Sequence, residues 1–195
     1  MAYRSGTYVA FDGQGEPCPA NSDYKYFNTL KMWQKSNSCD FNFVNSHEKT
    51  YAVRDTSCDI TLRNRLRERM RNSKNMLVII SNETNYNRGL LNWEIETAVN
   101  DYNLPIIVAY TGETNFSYLT ERLIQRLPKK LKEYVVNNTA KVAHIPFTQD
   151  KIKYAIAYYG VNSNVPYNSK TVYWYYKSGG KTTWLLNFLS ANVAI

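Results

Sequence analysis

Two glutamates lie close together in the segment NWEIETA, at positions 94 and 96. They follow an unbroken apolar run from Met76 to Ile80, whose polar boundaries are typical of a strand buried on both faces. In an open α/β sheet, ligands bind beyond the carboxyl ends of such strands, where the loop and the next helix begin. Glu94 is therefore predicted to stand near that edge, either as a working carboxylate or as a solvated one.

The same edge is predicted to carry other side chains that could hold a small polar molecule. They follow the first three predicted strands and are Phe11, Asp12, Asn45, His47, Ser81 and Asn82. A carboxylate, amides and an aromatic ring suit the hydroxyls of a sugar or nucleoside, but conventional glycoside hydrolysis uses two carboxylates. Cleavage of nicotinamide from NAD needs fewer groups, because the leaving group is already cationic and departs neutral. A single carboxylate can stabilise the oxocarbenium-like transition state, so the residues permit an NAD glycosidase without requiring one.

Three signatures of nucleotide or phosphate chemistry fail on spacing. The segment GQG at 13–15 follows a strand, but Cys18 stands where the dinucleotide fingerprint needs a glycine. The segment SGGKT at 178–182 resembles the end of a P-loop, yet Tyr175 occupies the position of the first glycine. A phospho-receiver domain needs an acceptor aspartate after the third strand, where this chain has Ser81.

Composition bounds the class of protein. The 195 residues suit one domain with a small appendage, and 44% of them are hydrophobic, enough for a packed core. The net charge of +8 is compatible with a polyanionic partner, which could be a nucleic acid or a phosphate-bearing small molecule. It is equally compatible with a soluble basic protein that has no such partner. Three cysteines without CxxC spacing and two histidines argue against a zinc site. No segment has the length of a membrane span or a signal peptide, so we expect a cytoplasmic protein that does not bind membranes.

The hydrophobic pattern predicts strands alternating with helices. The predicted strands are 7–11, 41–44, 76–80, 104–110 and 141–147; the predicted helices are 23–35, 57–73, one carrying Glu94, 117–136 with a break at Pro128, and 150–159. This order predicts a doubly wound parallel sheet, in which His144 is interpreted as a core histidine. The five arginines of the helix 57–73 alternate along the chain and form no single patch. The tail from 161 is predicted to form a hairpin around two glycines that packs on the domain or on another subunit.

Several segments together resemble the TIR-like domains of bacterial antiphage defence proteins, and among them the ThsB family of the Thoeris system. These segments are AFDG, FNFVNSHE, the 57–73 helix with LRERMRNSK, MLVIIS, NWEIETA and PIIVAY. The resemblance spans about residues 5–160 and leaves 161–195 as a C-terminal extension. It implies a flavodoxin-like fold with five parallel strands in the order 2-1-3-4-5.

The resemblance also implies an activity. TIR enzymes of this kind split NAD with a glutamate on the helix after the third strand, and the matching position is Glu94. NAD would be the substrate rather than a bound cofactor, bordered by the loops after the first two strands. The implied product is a cyclic ADP-ribose isomer, made on phage infection, that activates the effector ThsA. One position departs from the pattern, because Leu90 stands where many TIR domains carry a tryptophan and Trp93 lies beside Glu94 instead.

Two other functions stay open. A non-catalytic TIR-like adaptor would act by assembly, including self-association, through the aromatic tail and the basic surface. A nucleic-acid-binding module is the weaker alternative, suggested by the charge and the 17 tyrosines. On the helix that carries Glu94, Trp93 is interpreted as a core residue. Glu96 lies about 200° around that helix from Glu94 and is predicted to face solvent.

Overall fold

The computed structural model describes residues 4–13, 22–36, 43–44, 59–163, 168–178 and 181–187. Strands and helices alternate along most of these residues. In chain order they are β1 (Gly6–Ala10), α1 (Tyr24–Lys35), β2 (Phe43–Val44), α2 (Asp59–Arg71), β3 (Ser73–Ile80), α3 (Gly89–Asn100), β4 (Ile106–Tyr110), α4 (Glu121–Gln125), α5 (Lys129–Asn137), β5 (Val142–Pro146), α6 (Gln149–Tyr158), β6 (Thr171–Ser178) and β7 (Lys181–Asn187). Within the described ranges, no helix combines the length and the apolar character that a membrane crossing requires.

The strands form one sheet in the order β2-β1-β3-β4-β5-β6-β7. The five strands β1 to β5 run parallel, which gives the predicted α/β architecture. The tail forms the predicted hairpin, with β6 and β7 antiparallel, but this hairpin also joins the sheet, since β6 pairs in parallel with β5. The five parallel strands and the hairpin were both predicted, but the sequence did not show that the hairpin would extend the same sheet by pairing with the edge of β5.

The sheet separates two apolar layers. Successive side chains of a strand point to opposite faces, so Tyr8 and Ala10 pack with α2 and α3, whereas Val9 and Phe11 pack with the layer of α1 and α6. Strand β3, the third in the order of the sheet, is covered on both sides, with every residue from 75 to 80 buried. Each buried aliphatic side chain in these layers stabilises the fold by about 2 kcal/mol. The layers hold α3 firmly against β1 and β3.

The helix predicted over 57–73 ends earlier than expected. α2 ends at Arg71, and Ser73 already begins β3. Pairing with β1 draws the chain into the sheet at this point, and Thr7 Oγ1 donates a hydrogen bond of 2.7 Å to Asn75 Oδ1. Backbone pairing with a neighbouring strand thus decides the boundary. The predicted start of this helix, at residue 57, lies outside the described residues.

Two other interpretations are confirmed. The predicted break at Pro128 separates α4 from α5. His144 is a fully buried core histidine, whose Nε2 donates to the carbonyl of Ser169 and whose Nδ1 accepts from the hydroxyl of Tyr110, both at 2.9 Å. Burial lowers the pKa of His144 to about 4, against the effect of the Ser169 hydrogen bond, because the imidazolium is poorly solvated there. His144 therefore ties the chain that leads into the hairpin to the centre of the sheet.

Candidate functional site

Glu94 lies in the second turn of α3, on the side of that helix that faces the sheet. Only 3% of the residue is exposed, and it is surrounded by the apolar layer of α2 and α3. The hydroxyl of Tyr8, from β1, donates a hydrogen bond to Glu94 Oε1. Burial raises the pKa of Glu94 to about 7, although the bond from Tyr8 lowers it. Near neutral pH this carboxyl group is therefore balanced between its protonated and ionised forms.

The phenol, and a guanidinium that acts on the phenol, come from different elements. Tyr8 is fully buried, and its pKa lies well above the usual value because of burial first and then the charge and hydrogen bond of Glu94. The phenol therefore stays protonated. Arg69, from α2, is close enough to lower the pKa of Tyr8, and its buried Nη1 has no hydrogen-bond partner among the described residues. The site thus combines a carboxyl group, a phenol and a guanidinium at the junction of β1, α2 and α3.

Asp12 connects the end of β1 to the start of α3. Its side chain is fully buried, and Oδ1 lies 2.7 Å from Arg88 Nε in an ion pair. Its other oxygen, Oδ2, accepts a hydrogen bond of 2.9 Å from the backbone N–H of Asn85. Arg88 is the residue immediately before α3. Asp12 is thus placed to fix the position of the helix that carries Glu94, rather than to offer an open carboxylate at the edge.

A second carboxylate holds the loop between β3 and α3. Thr84 Oγ1 donates to Asp23 Oδ2 at 3.0 Å and accepts from the backbone N–H of Ser81 at 2.8 Å. The hydroxyl of Ser81 accepts from the backbone of Glu83 at 3.1 Å. Burial raises the pKa of Asp23, and hydrogen bonds from Ser81 and Thr84 oppose that rise. Ser81 is therefore engaged in shaping the loop, whereas the neighbouring Asn82 is exposed.

The remaining predicted site residues are not gathered around Glu94. Phe11 is 6% exposed and packs on the opposite face of the sheet, where its ring stacks on Phe27 with centroids 5.4 Å apart. Asn45 and His47 lie outside the described residues. Of the predicted set, the carboxyl ends of β1 and β3 bring Asp12, Ser81 and Asn82 to the same edge. Asp12 is linked to α3 through Arg88, and Phe11 is separated from Glu94 by the sheet.

Trp93, the residue before Glu94 in α3, contacts two arginines of α2. The indole is partly buried and packs against the apolar layer of α2 and α3, so the interpretation as a core residue holds for part of the ring. The guanidinium carbons of Arg63 and Arg67 lie 5.0 and 5.3 Å from the ring centroid, within range of cation–π attraction. These two arginines are four residues apart and therefore share one face of α2. Two cations of the protein therefore already lie against the indole.

The outer face of α3 is accessible to solvent. Glu96 forms an ion pair of 3.2 Å with Lys130, and its side chain is 43% exposed, in agreement with the predicted solvent-facing position. Leu90, at the position where an aromatic residue was expected, is 42% exposed. α3 therefore presents Glu94 inward and Glu96 outward, as their spacing predicts.

A cleft of about 350 Å³ lies at the opposite edge of the sheet. Its lining includes Asn100, Asn103, Asn138, Lys141 and Asn168, in the segments that precede β4, β5 and β6. These segments stand at the amino ends of the parallel strands, away from the loops after β1 and β3. The cleft therefore does not belong to the candidate site.

Sequence reasoning missed three residues of the site, namely Tyr8, Arg69 and Arg88. Alternation in the segment TYVAF places Tyr8 on one face of β1 but does not show which helix covers that face. Tyr8 and Glu94 are 86 residues apart in the chain, so no spacing rule connects them. Arg88 precedes a helix without a side-chain cap, and a basic residue at that position gives no signal of a buried aspartate nearby.

The parallel sheet with helices on both faces gives the α/β architecture of TIR-like domains. The helix after β3 carries an inward-facing glutamate at the position where the resemblance expects one. A family model described as Thoeris protein ThsB, TIR-like domain, matches residues 8–115. The chain belongs to this family. The matched stretch includes Tyr8, Asp12 and Glu94, whereas β5, α6 and the hairpin lie beyond it.

Proposed function

We propose that this protein is an antiphage-defence enzyme that cleaves the bond between nicotinamide and ribose in NAD and makes a cyclic ADP-ribose isomer. The observation that carries the proposal is Glu94, a desolvated carboxyl group with a pKa of about 7 on the helix after β3. Strongly perturbed carboxyl groups of this kind concentrate at functional sites. Membership of the ThsB family supports a role in the Thoeris system.

In this reaction the carboxylate has one role, which is to stabilise positive charge on the ribose. When the bond from ribose C1′ to the ring nitrogen breaks, its electron pair goes to that nitrogen, so nicotinamide leaves neutral. The ribose is left with positive charge shared between C1′ and the ring oxygen, which a fixed anion in a water-poor site stabilises strongly. A nucleophilic group of the ADP-ribose part then bonds to C1′ and releases one proton to give the cyclic product. Attack by water instead would give linear ADP-ribose.

Accessibility sets a condition on this reaction. With 3% of Glu94 exposed and Oε1 bonded to Tyr8, a ribose can contact the carboxylate only after neighbouring groups have moved. A site that opens when the protein is triggered fits an enzyme that must spare cellular NAD in uninfected cells. We propose that the trigger is a phage-derived component, that assembly of copies of this chain contributes to opening, and that the product activates ThsA.

The deciding experiment compares three proteins in phage-infected cells: wild type, Glu94→Gln and Glu96→Gln. Glu96 lies on the same helix but faces outward, so its variant controls for changes in α3. Mass spectrometry of small molecules should detect the cyclic product in cells with wild type and Glu96→Gln, and not in cells with Glu94→Gln. Full product formation by Glu94→Gln would refute the assignment of Glu94.

A second candidate, a non-catalytic adaptor, is favoured by the same burial of Glu94. A carboxyl group that is closed off by Tyr8 and apolar side chains can serve as a structural polar pair. An adaptor should protect cells while releasing no nicotinamide from NAD, either purified or in infected cells. It should also protect equally well when Glu94 is replaced by Gln, whereas the enzyme should lose protection.

A further inference from the structure

We propose that Tyr8 is a positioning residue for Glu94, holding the carboxylate in its reactive orientation and controlling the pH range in which the enzyme works. This inference rests on the proposed function, and it assigns a role to a residue outside the predicted site. Tyr8 is argued to act through Glu94 and not by contact with the substrate.

The geometry of the pair supports this role. Tyr8 is the middle residue of β1, the strand between β2 and β3, and its side chain is fully buried. β1 is fixed on one side by five paired positions along β3. The phenol is therefore attached to one of the most constrained parts of the molecule, while Glu94 is on a helix that meets the sheet through side chains. A fixed donor directed at one carboxylate oxygen removes rotational freedom from Glu94 and leaves the second oxygen for the substrate.

The polar groups near the carboxyl explain why the hydrogen bond from Tyr8 affects the protonation of Glu94. From β1 comes Tyr8, and from α2 comes Arg69, whose charge acts on the phenol. On α3 itself, the buried side chains that flank Glu94 are Leu91, Ile95 and Thr97, and none of them carries a charge. Burial alone would favour the protonated acid, and the hydrogen bond from Tyr8 works against it. Removing the hydroxyl should therefore raise the pKa of Glu94 further and leave less carboxylate at neutral pH.

The test is Tyr8→Phe, which keeps the ring and removes one hydroxyl. The matched control is Tyr110→Phe, since Tyr110 is also fully buried in a parallel strand and donates to His144 instead of a carboxylate. With triggered wild type as reference, Tyr8→Phe should lower kcat for nicotinamide release about tenfold, leave KM nearly unchanged and move the acidic limb of the pH–rate profile to higher pH. Tyr110→Phe should leave the profile in place.

A second measurement is independent of activity. The carboxyl carbon of Glu94, assigned in a ¹³C spectrum by its absence in Glu94→Gln, should titrate at higher pH in Tyr8→Phe than in wild type. An unchanged pH profile and an unchanged titration in a folded Tyr8→Phe protein would overturn the proposal. If the titration moves but wild type itself never releases nicotinamide, the coupling between Tyr8 and Glu94 stands and the proposed function fails.

Discussion

Glu94 and Asp12 are both buried carboxyl groups at the junction of β1 and α3, yet their partners differ in kind. Asp12 faces the guanidinium of Arg88 at 2.7 Å and accepts a backbone hydrogen bond from Asn85. Glu94 has a neutral phenol as its hydrogen-bond partner and lies within the apolar layer of α2 and α3. The first arrangement fixes a charge in place, whereas the second leaves the charge state of the carboxyl group responsive to pH.

The difference indicates that the two carboxyl groups at the junction of β1 and α3 have different roles. An ion pair that joins the end of β1 to the residue before α3 positions the helix. Five residues after the helix begins, Glu94 accepts a hydrogen bond from a phenol and has no ion pair among the described residues. Buried groups that are fully paired serve structure, while a desolvated group with a shifted pKa is a candidate for chemistry. Glu94→Gln should therefore mainly reduce activity, whereas Asp12→Asn should mainly reduce stability.

The largest effect expected is on catalysis by Glu94→Gln. The amide keeps an oxygen that can accept from Tyr8, so the protein should fold, but it carries no charge to stabilise the oxocarbenium-like transition state. Nicotinamide release by triggered protein should fall by at least about 100-fold, measured by chromatography of the products. If the melting temperature falls so far that the variant is largely unfolded under the assay conditions, the loss of activity would instead indicate that Glu94 is structural.

The next effect is a dependence of stability on pH that belongs to Glu94. Its pKa is about 7 in the folded protein against 4.5 for the free group, so the folded state retains the proton between these values and the unfolded state does not. The contribution of Glu94 to the free energy of unfolding is therefore fully present below about pH 4.5. It declines as the pH rises to about 7, by about 3 kcal/mol in total.

Urea unfolding of wild type and Glu94→Gln at several pH values measures this contribution as a difference. Wild type should lose stability relative to the variant over that window, and the difference should be constant above it. A difference that does not change with pH would mean that the carboxyl group is not desolvated in solution.

A smaller effect is expected from Asp12→Asn, and it should appear in stability. The amide carries no charge opposite Arg88. Because the guanidinium of Arg88 is partly exposed, water can hydrate it in part. The free energy of unfolding should fall by about 2 kcal/mol, or about 4–8 °C in melting temperature. The double variant Asp12→Asn with Arg88→Gln should be less destabilised than the sum of the single variants, because one interaction is lost in all three. Strict additivity would show that the ion pair contributes nothing.

The smallest effect belongs to an exposed carboxylate on the same helix. Glu96 pairs with Lys130, but both side chains are more than a third accessible to water. Glu96→Gln should change the free energy of unfolding by less than about 0.5 kcal/mol and should leave nicotinamide release unaltered. An effect as large as that of Asp12→Asn would mean that burial does not distinguish these carboxylates.

Local patterns predicted most of the fold. The apolar run that ends at Ile80, the alternation of strands and helices and the break at Pro128 all follow from side-chain polarity and backbone chemistry that act over a few residues. The same patterns did not predict features that depend on pairing with a strand distant in the sequence. β3 begins at Ser73 because β1 is beside it, and the hairpin joins the sheet because β5 offers a free edge.

The candidate site was predicted in part for the same reason. Periodicity separated the inward Glu94 from the outward Glu96, and the resemblance chose the position of Glu94. The partners that give each carboxyl group its character, Tyr8 and Arg88, come from segments 86 and 76 residues away from the groups they contact. Only the packing of α3 across β1 brings them together.

The hairpin of β6 and β7 has a consequence for how copies of this protein can associate. By pairing with β5, it occupies a strand edge that would otherwise offer unpaired N–H and C=O groups to another chain. Among the described strands, β7 is the last one on that side of the sheet. A continuous sheet built from several copies could therefore not grow from β5, because the hairpin of the same copy already pairs with that strand.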